Sequence, residues 1–456
     1  MKIKTGRQEP AGNKGEHDDE PLTPTARLFT APEFNCYITA VIGLKSKINR
    51  DVFIEGLEQT LLKHPRFSSI LVNDSSQEQK WVRTKVVAED HVIIPKIELE
   101  NANADAFLES YVSDLTTIPL DTSKPLWEVH LLDLKTSDAQ NVVVLKINHS
   151  VGDGMSLMSL VHACTRKTSN HEELPSLPNE NRLSSKSMAG YSRLIWMVML
   201  VWNTLCDALK FIATTMFLKD TDTPIKGDFR LSKSKRMCLV HRTVDLEDIK
   251  FIKNAMKMTV NDVLLGVAQA ALSEYLERRY EVQDLANMMA KGSKCKWGNW
   301  IGYMLFPLSL ALHDDPLEHL RRVKSIIHRK KNSLEALLTF TSTKILIKML
   351  GVVRAASLTS RTISNTTMSF SNLVGPTEEV SLYGHPITYI APSAYGHPHK
   401  VRVRALCKSL IDIGFLWEKV PRKDVSSHKR SHSNNSGDSL SGGTTSSRRR
   451  MVLSCN

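Results

Sequence analysis

A chain of 456 residues, 41% of them hydrophobic, is too long for one ordinary core and apolar enough for two domains of about 200 residues each. Its seven cysteines (Cys36, Cys164, Cys206, Cys238, Cys295, Cys407 and Cys455) form no Cys-x-x-Cys pair and have no histidine at zinc spacing, which argues against a structural metal and a disulfide framework and for a reducing compartment. The net charge of +12 does not point to nucleic acid: half of it lies between Lys419 and Asn456, and aromatic residues are only 6%.

Residues 1–20 are polar and charged with no apolar run, so no cleavable signal peptide is predicted. Residues 21–168 alternate helix and strand signals and make up the first predicted domain. A helix is expected over 49–64, where Val52, Phe53, Ile54, Leu57, Leu61 and Leu62 recur at helical spacing. Strands are expected at 70–72, 126–132 and 142–147. His130 alternates with apolar neighbours and reads as a structural histidine, and His64, before Pro65, as a helix terminus.

The strand over 141–148 runs into His149-Ser-Val-Gly-Asp153-Gly154. Gly152 and Gly154 force a tight turn, and 155–168 reads as the helix that follows. A histidine therefore stands at a strand end with an aspartate folded back behind it. His149 can act as a general base, Asp153 can orient it, and Gly154 leaves room for substrate against the backbone. The plainer alternative is a turn whose His and Asp only cap a helix.

Residues 169–235 form a linker that begins polar and then carries an apolar stretch over 194–218. Leu194 to Cys206 is 13 residues without a charge, short of the roughly 20 that a span requires. Reaching Leu218 includes Asp207 and Lys210, which with Asn203 and Thr214 form one polar stripe on a helix. A helix lying in a membrane interface, with Trp196, Trp202 and Phe211 among headgroups, a single spanning helix, and a buried helix all remain open.

The second predicted domain covers 236–418. It opens with another His-x-x-x-Asp, His241 to Asp245, in which Leu246 replaces the glycine. Its strand-like flank would hold the two ends roughly 13 Å apart, too far for a hydrogen bond. Helices are expected over 243–257, 260–280 and 316–339, and a strand over 303–310. Asn261-Asp262 reads as a cap for a helix beginning at Val263. Arg321, Arg322, Lys324, Arg329, Lys330 and Lys331 read as a solvated helix face. Residues 419–456, rich in Ser, Gly, Asn and Arg, read as a disordered basic tail.

Several of these segments, in order, resemble the plant wax ester synthase/diacylglycerol acyltransferase family. They are Pro21-Leu-Thr-Pro24 with Arg27-Leu-Phe29, His64-Pro-Arg-Phe-Ser68, Pro125-Leu-Trp-Glu128, the His149 motif, Asn261-Asp262, Gly298-Asn299, Ser371-Asn-Leu-Val-Gly-Pro376 and Tyr395-Gly-His-Pro398. The resemblance implies an α/β fold of two chloramphenicol-acetyltransferase-like domains with an active-site channel between them. It implies acyl transfer from acyl-CoA, a co-substrate and not a bound cofactor, to a long-chain alcohol or diacylglycerol. No Ser or Cys sits in a Gly-x-Ser-x-Gly elbow, which favours direct transfer over an acyl-enzyme. Asn299 and Asn372 are, by the resemblance, candidate donors to the oxyanion, though each could simply hold a turn. Such substrates partition into bilayers, so the expected place is the endoplasmic reticulum membrane or the plasma membrane, with the catalytic domains cytosolic.

Two departures stand out. The family motif starts His-His, whereas this chain has Asn148-His149, which leaves the base in place and a hydrogen-bonding neighbour beside it. Beyond Pro398 the match weakens, so the last structural layer of the second domain is expected to be altered or missing. A soluble acyltransferase of the BAHD type shares His-x-x-x-Asp, but its Asp-Phe-Gly-Trp-Gly stretch does not occur here. A lipid-binding descendant of weak activity is the remaining alternative.

Overall fold

The computed structural model describes residues 20–32, 34–73, 78–98, 103–170, 172–175, 190–220, 240–277, 285–288, 297–299, 301–308, 315, 317–372, 376, 378–396, 401–408 and 450–455. Two sheets organise them. The first has seven strands, in spatial order Val92–Ile93, Trp127–Leu132, Asn141–Asn148, Tyr37–Leu44, His385–Tyr395, Val380–Leu382 and Thr165–Lys167. Its central strands are buried on both faces, which is why they read as continuous β-branched runs and do not alternate. Helices Arg50–Gln59 and Gly154–Cys164 cover one face through Phe53, Leu57 and Leu160. Helix Ala104–Leu115 covers the other through Leu108, Val112 and Leu115.

The second sheet has six strands, ordered Leu305–Leu308, Leu285–Met288, Met368–Asn372, Val401–Lys408, Arg450–Cys455 and Val240–Asp245. Helices Leu246–Ala255, Val260–Glu277 and Leu317–Lys331 pack on it around Val263, Leu320 and Phe370. Thr259 caps the middle helix: its hydroxyl accepts from the Asp262 N–H at 3.3 Å, and Asp262 accepts from the Thr259 N–H at 2.8 Å. The cap thus lies at Thr259, two residues before the Asn261-Asp262 pair expected to supply it.

The structure departs from the sequence-based expectations in further places, among them the helix expected over 243–257, which begins at Leu246 after the strand Val240–Asp245. A boundary at 236 does not separate the sheets, because Val380–Leu382 and His385–Tyr395 return to the first sheet, the latter pairing antiparallel with Tyr37–Leu44. The helix over 49–64 ends at Gln59 and continues as short 3₁₀ turns, since Pro65 cannot prolong it. The helix expected over 316–339 is broken at 332–334 into Leu317–Lys331 and Glu335–Ser364. One strand of the last layer is present, Val401–Lys408, which pairs with Met368–Asn372. The tail is not wholly without structure: its apolar end, Arg450–Cys455, pairs with Val401–Lys408 and with Val240–Asp245. Residues 1–19 and 409–449 lie outside the described residues.

The apolar stretch over 194–218 lies on one helix, Gly190–Met216, and most of its side chains are exposed. Of its polar stripe, Asn203, Asp207 and Thr214 turn toward the protein, whereas Lys210 is exposed. Asn203 donates to the Asn332 carbonyl, and Asp207, fully buried, accepts from Arg329 at 2.8 Å and Lys330 at 2.9 Å. The Thr214 carbonyl accepts from Asn365. Of the basic cluster, only part is a solvated face: Arg321 and Arg322 pair with Asp315 and Glu318 at the surface, whereas Arg329 and Lys330 hold this helix. Alongside it runs Glu335–Ser364, with Leu337, Ile345, Met349 and Val353 also exposed. Among the described residues, these two helices are long and apolar enough to cross a bilayer.

Candidate active site

The strand Asn141–Asn148 delivers His149 to a turn that the chain fixes from several sides. The His149 N–H donates to the Cys36 carbonyl at 2.8 Å, extending the pairing with the neighbouring strand. Asn148 holds the bend: its carbonyl oxygen Oδ1 accepts from the Ser150 N–H at 2.9 Å and its amide donates to Asn35 Oδ1 at 3.0 Å. Asp153 then caps helix Gly154–Cys164, accepting from the Ser156 N–H at 2.9 Å.

A strap from the second half, Trp297-Gly298-Asn299, crosses this turn. The indole N–H of Trp297 donates to the Val151 carbonyl at 3.0 Å. Gly298 accepts from the Asp153 N–H at 3.2 Å and from the Ser156 hydroxyl at 3.1 Å. Gly298 has a φ of 133°, a backbone that favours glycine. A β-carbon on Gly152 would lie 3.2 Å from the Trp297 ring, so the strap sits close because that residue has no side chain.

The strap brings Asn299 to His149. Both residues are buried, and Asn299 Oδ1 is 3.0 Å from His149 Nδ1. The other end of the amide donates to the Ser150 carbonyl at 3.2 Å, which orients the group with its oxygen toward the imidazole. An amide oxygen only accepts, so Nδ1 carries a hydrogen, and in the neutral imidazole the lone pair then belongs to Nε2. The imidazole also packs against Phe29, with ring centroids 4.2 Å apart and the rings tilted by 31°. Phe29 comes from the short helix Pro24–Thr30, and Thr23 just before it accepts from the Asn299 N–H at 3.4 Å.

Of the residues singled out from sequence, the fold thus gathers Asn148, His149, Asp153, Gly154 and Asn299 around one turn. Asn299 was expected as a donor to an oxyanion; one of its two amide hydrogens goes to the Ser150 carbonyl and its oxygen faces His149. Asn372 closes the strand Met368–Asn372, and its side chain lies outside the described residues. His241 and Asp245 both fall within the strand Val240–Asp245. His130 is a core residue whose Nδ1 is 2.7 Å from the Tyr111 hydroxyl. His64 caps a 3₁₀ turn and packs on Trp297; burial pushes its pKa from 6.5 down to about 4, so it is neutral at ordinary pH. The described His, Cys, Asp and Glu residues do not gather into any group that could hold a metal.

Sequence reasoning missed the pocket behind the turn. Between helix Gly154–Cys164, helix Arg50–Gln59 and the first sheet lies a cavity of about 90 Å³. Its walls are apolar, among them Ile42, Leu57, Val143, Ile147, Leu157 and Met158, and Gly154 lines the end beside the His149 turn. Protein interiors are close-packed with few voids larger than a water molecule, so an unfilled apolar gap between helix and sheet is suited to an apolar guest.

The family profile described as "Wax ester synthase/diacylglycerol acyltransferase catalytic domain" matches residues 41–264, and "WS/DGAT C-terminal domain" matches 297–408. The chain is 66% identical over 434 residues to wax ester synthase/diacylglycerol acyltransferase 5 of Arabidopsis thaliana, covering 84% of this chain and 86% of the relative. It is 60% identical to number 6 of the same plant, covering 88% and 90%. Among solved structures, the wax ester synthase/diacylglycerol acyltransferase from Marinobacter aquaeolei aligns over 96% of this chain and 92% of that one, with a TM-score of 0.57 at 16% identity. The first condensation domain of the CDA synthetase aligns over 85% and 87%, with a TM-score of 0.51 at 10% identity. At such identities these two likenesses are likenesses of fold.

Proposed function

Because the chain belongs to the wax ester synthase/diacylglycerol acyltransferase family, and is therefore an acyl-CoA-dependent O-acyltransferase that makes wax esters, triacylglycerol or both, we propose that His149 is its general base and that Asn299 sets the tautomer in which it works. The alcohol hydroxyl donates to Nε2. As its oxygen bonds to the thioester carbonyl carbon, the proton passes to Nε2, and the Asn299 carbonyl supports the imidazolium through Nδ1–H. Collapse of the tetrahedral intermediate breaks the carbon–sulfur bond, and His149 returns the proton to the departing CoA thiolate. Base catalysis of this kind contributes about 10²–10⁴ in rate.

Asp153 serves this step through structure. It caps the helix and its N–H holds Gly298, the residue before Asn299, so the turn and the strap position each other. Asn148 fixes the bend, and Gly154 opens the way from the turn to the apolar pocket, which we read as the seat of a substrate hydrocarbon chain. Asn372 is the candidate oxyanion donor, a role typically worth about 3 kcal/mol. The observation that carries the reading is the Asn299–His149 contact. Expression in a host lacking neutral-lipid synthesis tests it: triacylglycerol should form without added fatty alcohol and wax ester with it, both lost in His149→Gln. A host that makes neither lipid with the wild-type chain would overturn the assignment.

The exposed helix pair supports attachment to a membrane surface. A spanning Gly190–Met216 would carry Asp207 into hydrocarbon and either part it from Arg329 and Lys330 or drag these along, both costly. Lying flat, the two helices set Val198, Val201, Trp202 and Leu209 with Ile345 and Met349 against lipid. Trp196 serves the fold as well, since its indole donates to Asn332 at 3.2 Å. The membrane we assign is that of the endoplasmic reticulum, where both acceptors are made, with the catalytic domains cytosolic. Replacing Val198, Val201 and Trp202 with Gln should release the protein from sedimented membranes while it still turns over detergent-dispersed alcohol. A wild-type chain found wholly in the soluble fraction would sink this reading.

A further inference from the structure

The pocket behind the His149 turn ends at a residue whose backbone is held in a disfavoured conformation. Strands Val380–Leu382 and His385–Tyr395 are joined by Tyr383 and Gly384 alone, with φ of 50° and 83°. A two-residue hairpin with both φ positive favours Asn-Gly or Gly-Gly. A bulky tyrosine in the left-handed region is an outlier, and such outliers gather where a side chain has work to do.

The ring is built into its place. A β-carbon on Gly56 would lie 2.3 Å from the Tyr383 ring, so helix Arg50–Gln59 admits the ring only because that position is glycine. Phe53 meets it edge-on, with centroids 5.1 Å apart at 87°. The Thr60 hydroxyl gives its hydrogen to the Gly56 carbonyl at 2.7 Å, so the Tyr383 hydroxyl, also at 2.7 Å, donates to the Thr60 oxygen. The Cys164 thiol, buried by its surroundings so that its pKa is raised, lies beside both. The polar groups here satisfy one another, and the face toward the pocket is the ring.

Gly154 and Cys164, the two ends of one helix, both line the pocket, about 15 Å apart at a rise of about 1.5 Å per residue. We propose that Tyr383 is the floor of the pocket and a specificity-determining residue, setting the longest hydrocarbon chain the enzyme accepts. This rests on the reading that the pocket holds a substrate chain. That chain is a linear hydrocarbon, whether it belongs to the acyl-CoA or to the alcohol.

The experiment uses the full chain in detergent and two substrate series. One runs acyl-CoAs from decanoyl to icosanoyl with a single alcohol, the other primary alcohols over the same range with a single acyl-CoA. Tyr383→Gly removes the floor and suits the positive φ, so it should fold. It should move the optimum of kcat/KM to longer chains in the series that uses the pocket, with a gain of about fourfold for each methylene newly buried. Tyr383→Phe keeps the ring and should keep the wild-type optimum. Met158→Trp, narrowing the pocket midway, should shorten the optimum in the same series. If Met158→Trp shortens the optimum and Tyr383→Gly leaves it unmoved, the floor lies elsewhere and the proposal is overturned. If neither moves either series, the pocket holds no substrate chain and the reading beneath the proposal fails with it.

Discussion

His149 to Asp153 and His241 to Asp245 share a spacing and a histidine that follows an extended run. The first bends at once through Gly152 and into a helix at Gly154, where a strap from the other half of the chain meets it. The second runs straight through the strand Val240–Asp245, paired along its length with Arg450–Cys455. Four residues of strand cover roughly 13 Å, whereas the turn folds the same four back on themselves. A motif of spaced letters is thus only as chemical as the backbone beneath it, and in this chain two glycines and a cap decide which copy that is.

The largest effect should come from His149→Ala. A methyl group cannot accept the alcohol proton, and acyl transfer should fall on the order of 10²-fold or more, with the thermal midpoint little changed. Product formation from palmitoyl-CoA and a fatty alcohol reads the loss directly. Residual turnover close to wild type would mean that another group is the base and that the turn is only a turn.

Next in size is Asn299→Ala. It leaves the Nδ1–H of His149 and the Ser150 carbonyl without their buried partner and frees the imidazole to adopt the other tautomer. A fall of about tenfold or more, mainly in kcat, is expected, since a lost orienting partner acts in the transition state. Asn299→Asp separates positioning from packing. A carboxylate beside Nδ1 stabilises the imidazolium and raises the His149 pKa, so the acidic limb of the kcat/KM profile should move to higher pH. An unmoved limb would mean that Asn299 does not act through His149.

Much of the turn itself could be read from sequence because its determinants are local: a β-branched strand, two glycines and an aspartate at helix start. The part that makes it work could not. Asn299 lies 150 positions away, and nothing in an isolated Gly298-Asn299 says whether the amide offers its hydrogen or its oxygen; the Ser150 carbonyl decides that. The return of His385–Tyr395 to the first sheet was hidden for a similar reason, since a strand's own residues do not name its neighbours. The stripe Asn203, Asp207, Lys210 and Thr214 was legible as polar, yet the partners Arg329, Lys330 and Asn365 were needed to show that all of it but the exposed Lys210 faces protein. Tyr383 gave no signal at all, because its interest lies in a backbone angle.

Asp153→Ala should do less than either change above. It removes the acceptor for the Ser156 N–H, a helix cap worth about 1 kcal/mol, but leaves the Asp153 N–H to Gly298 and the Asn299 contact in place. A lower thermal midpoint with a modest loss of turnover is the expected pattern. A loss as large as that of His149→Ala would make Asp153 a partner in the chemistry and would weaken the case that Asn299 orients the base.

The smallest effect should come from His241→Ala, within about twofold of wild type, as for a substitution away from any site. The comparison becomes sharper if the second copy is given the letter it lacks. Leu246→Gly in the His149→Ala background completes His-x-x-x-Asp-Gly at 241–246, so the chain again contains one full motif. Glycine at 246 changes the first residue of helix Leu246–Ala255, but not the strand before it, whose register with Arg450–Cys455 keeps residues 241 and 245 extended. No strap like Trp297-Gly298-Asn299 follows from that change. Turnover should therefore stay at the level of His149→Ala alone. Recovery of activity in the double variant would show that spacing and composition suffice, and that the bend at Gly152, the cap at Asp153 and the Asn299 contact are incidental to catalysis.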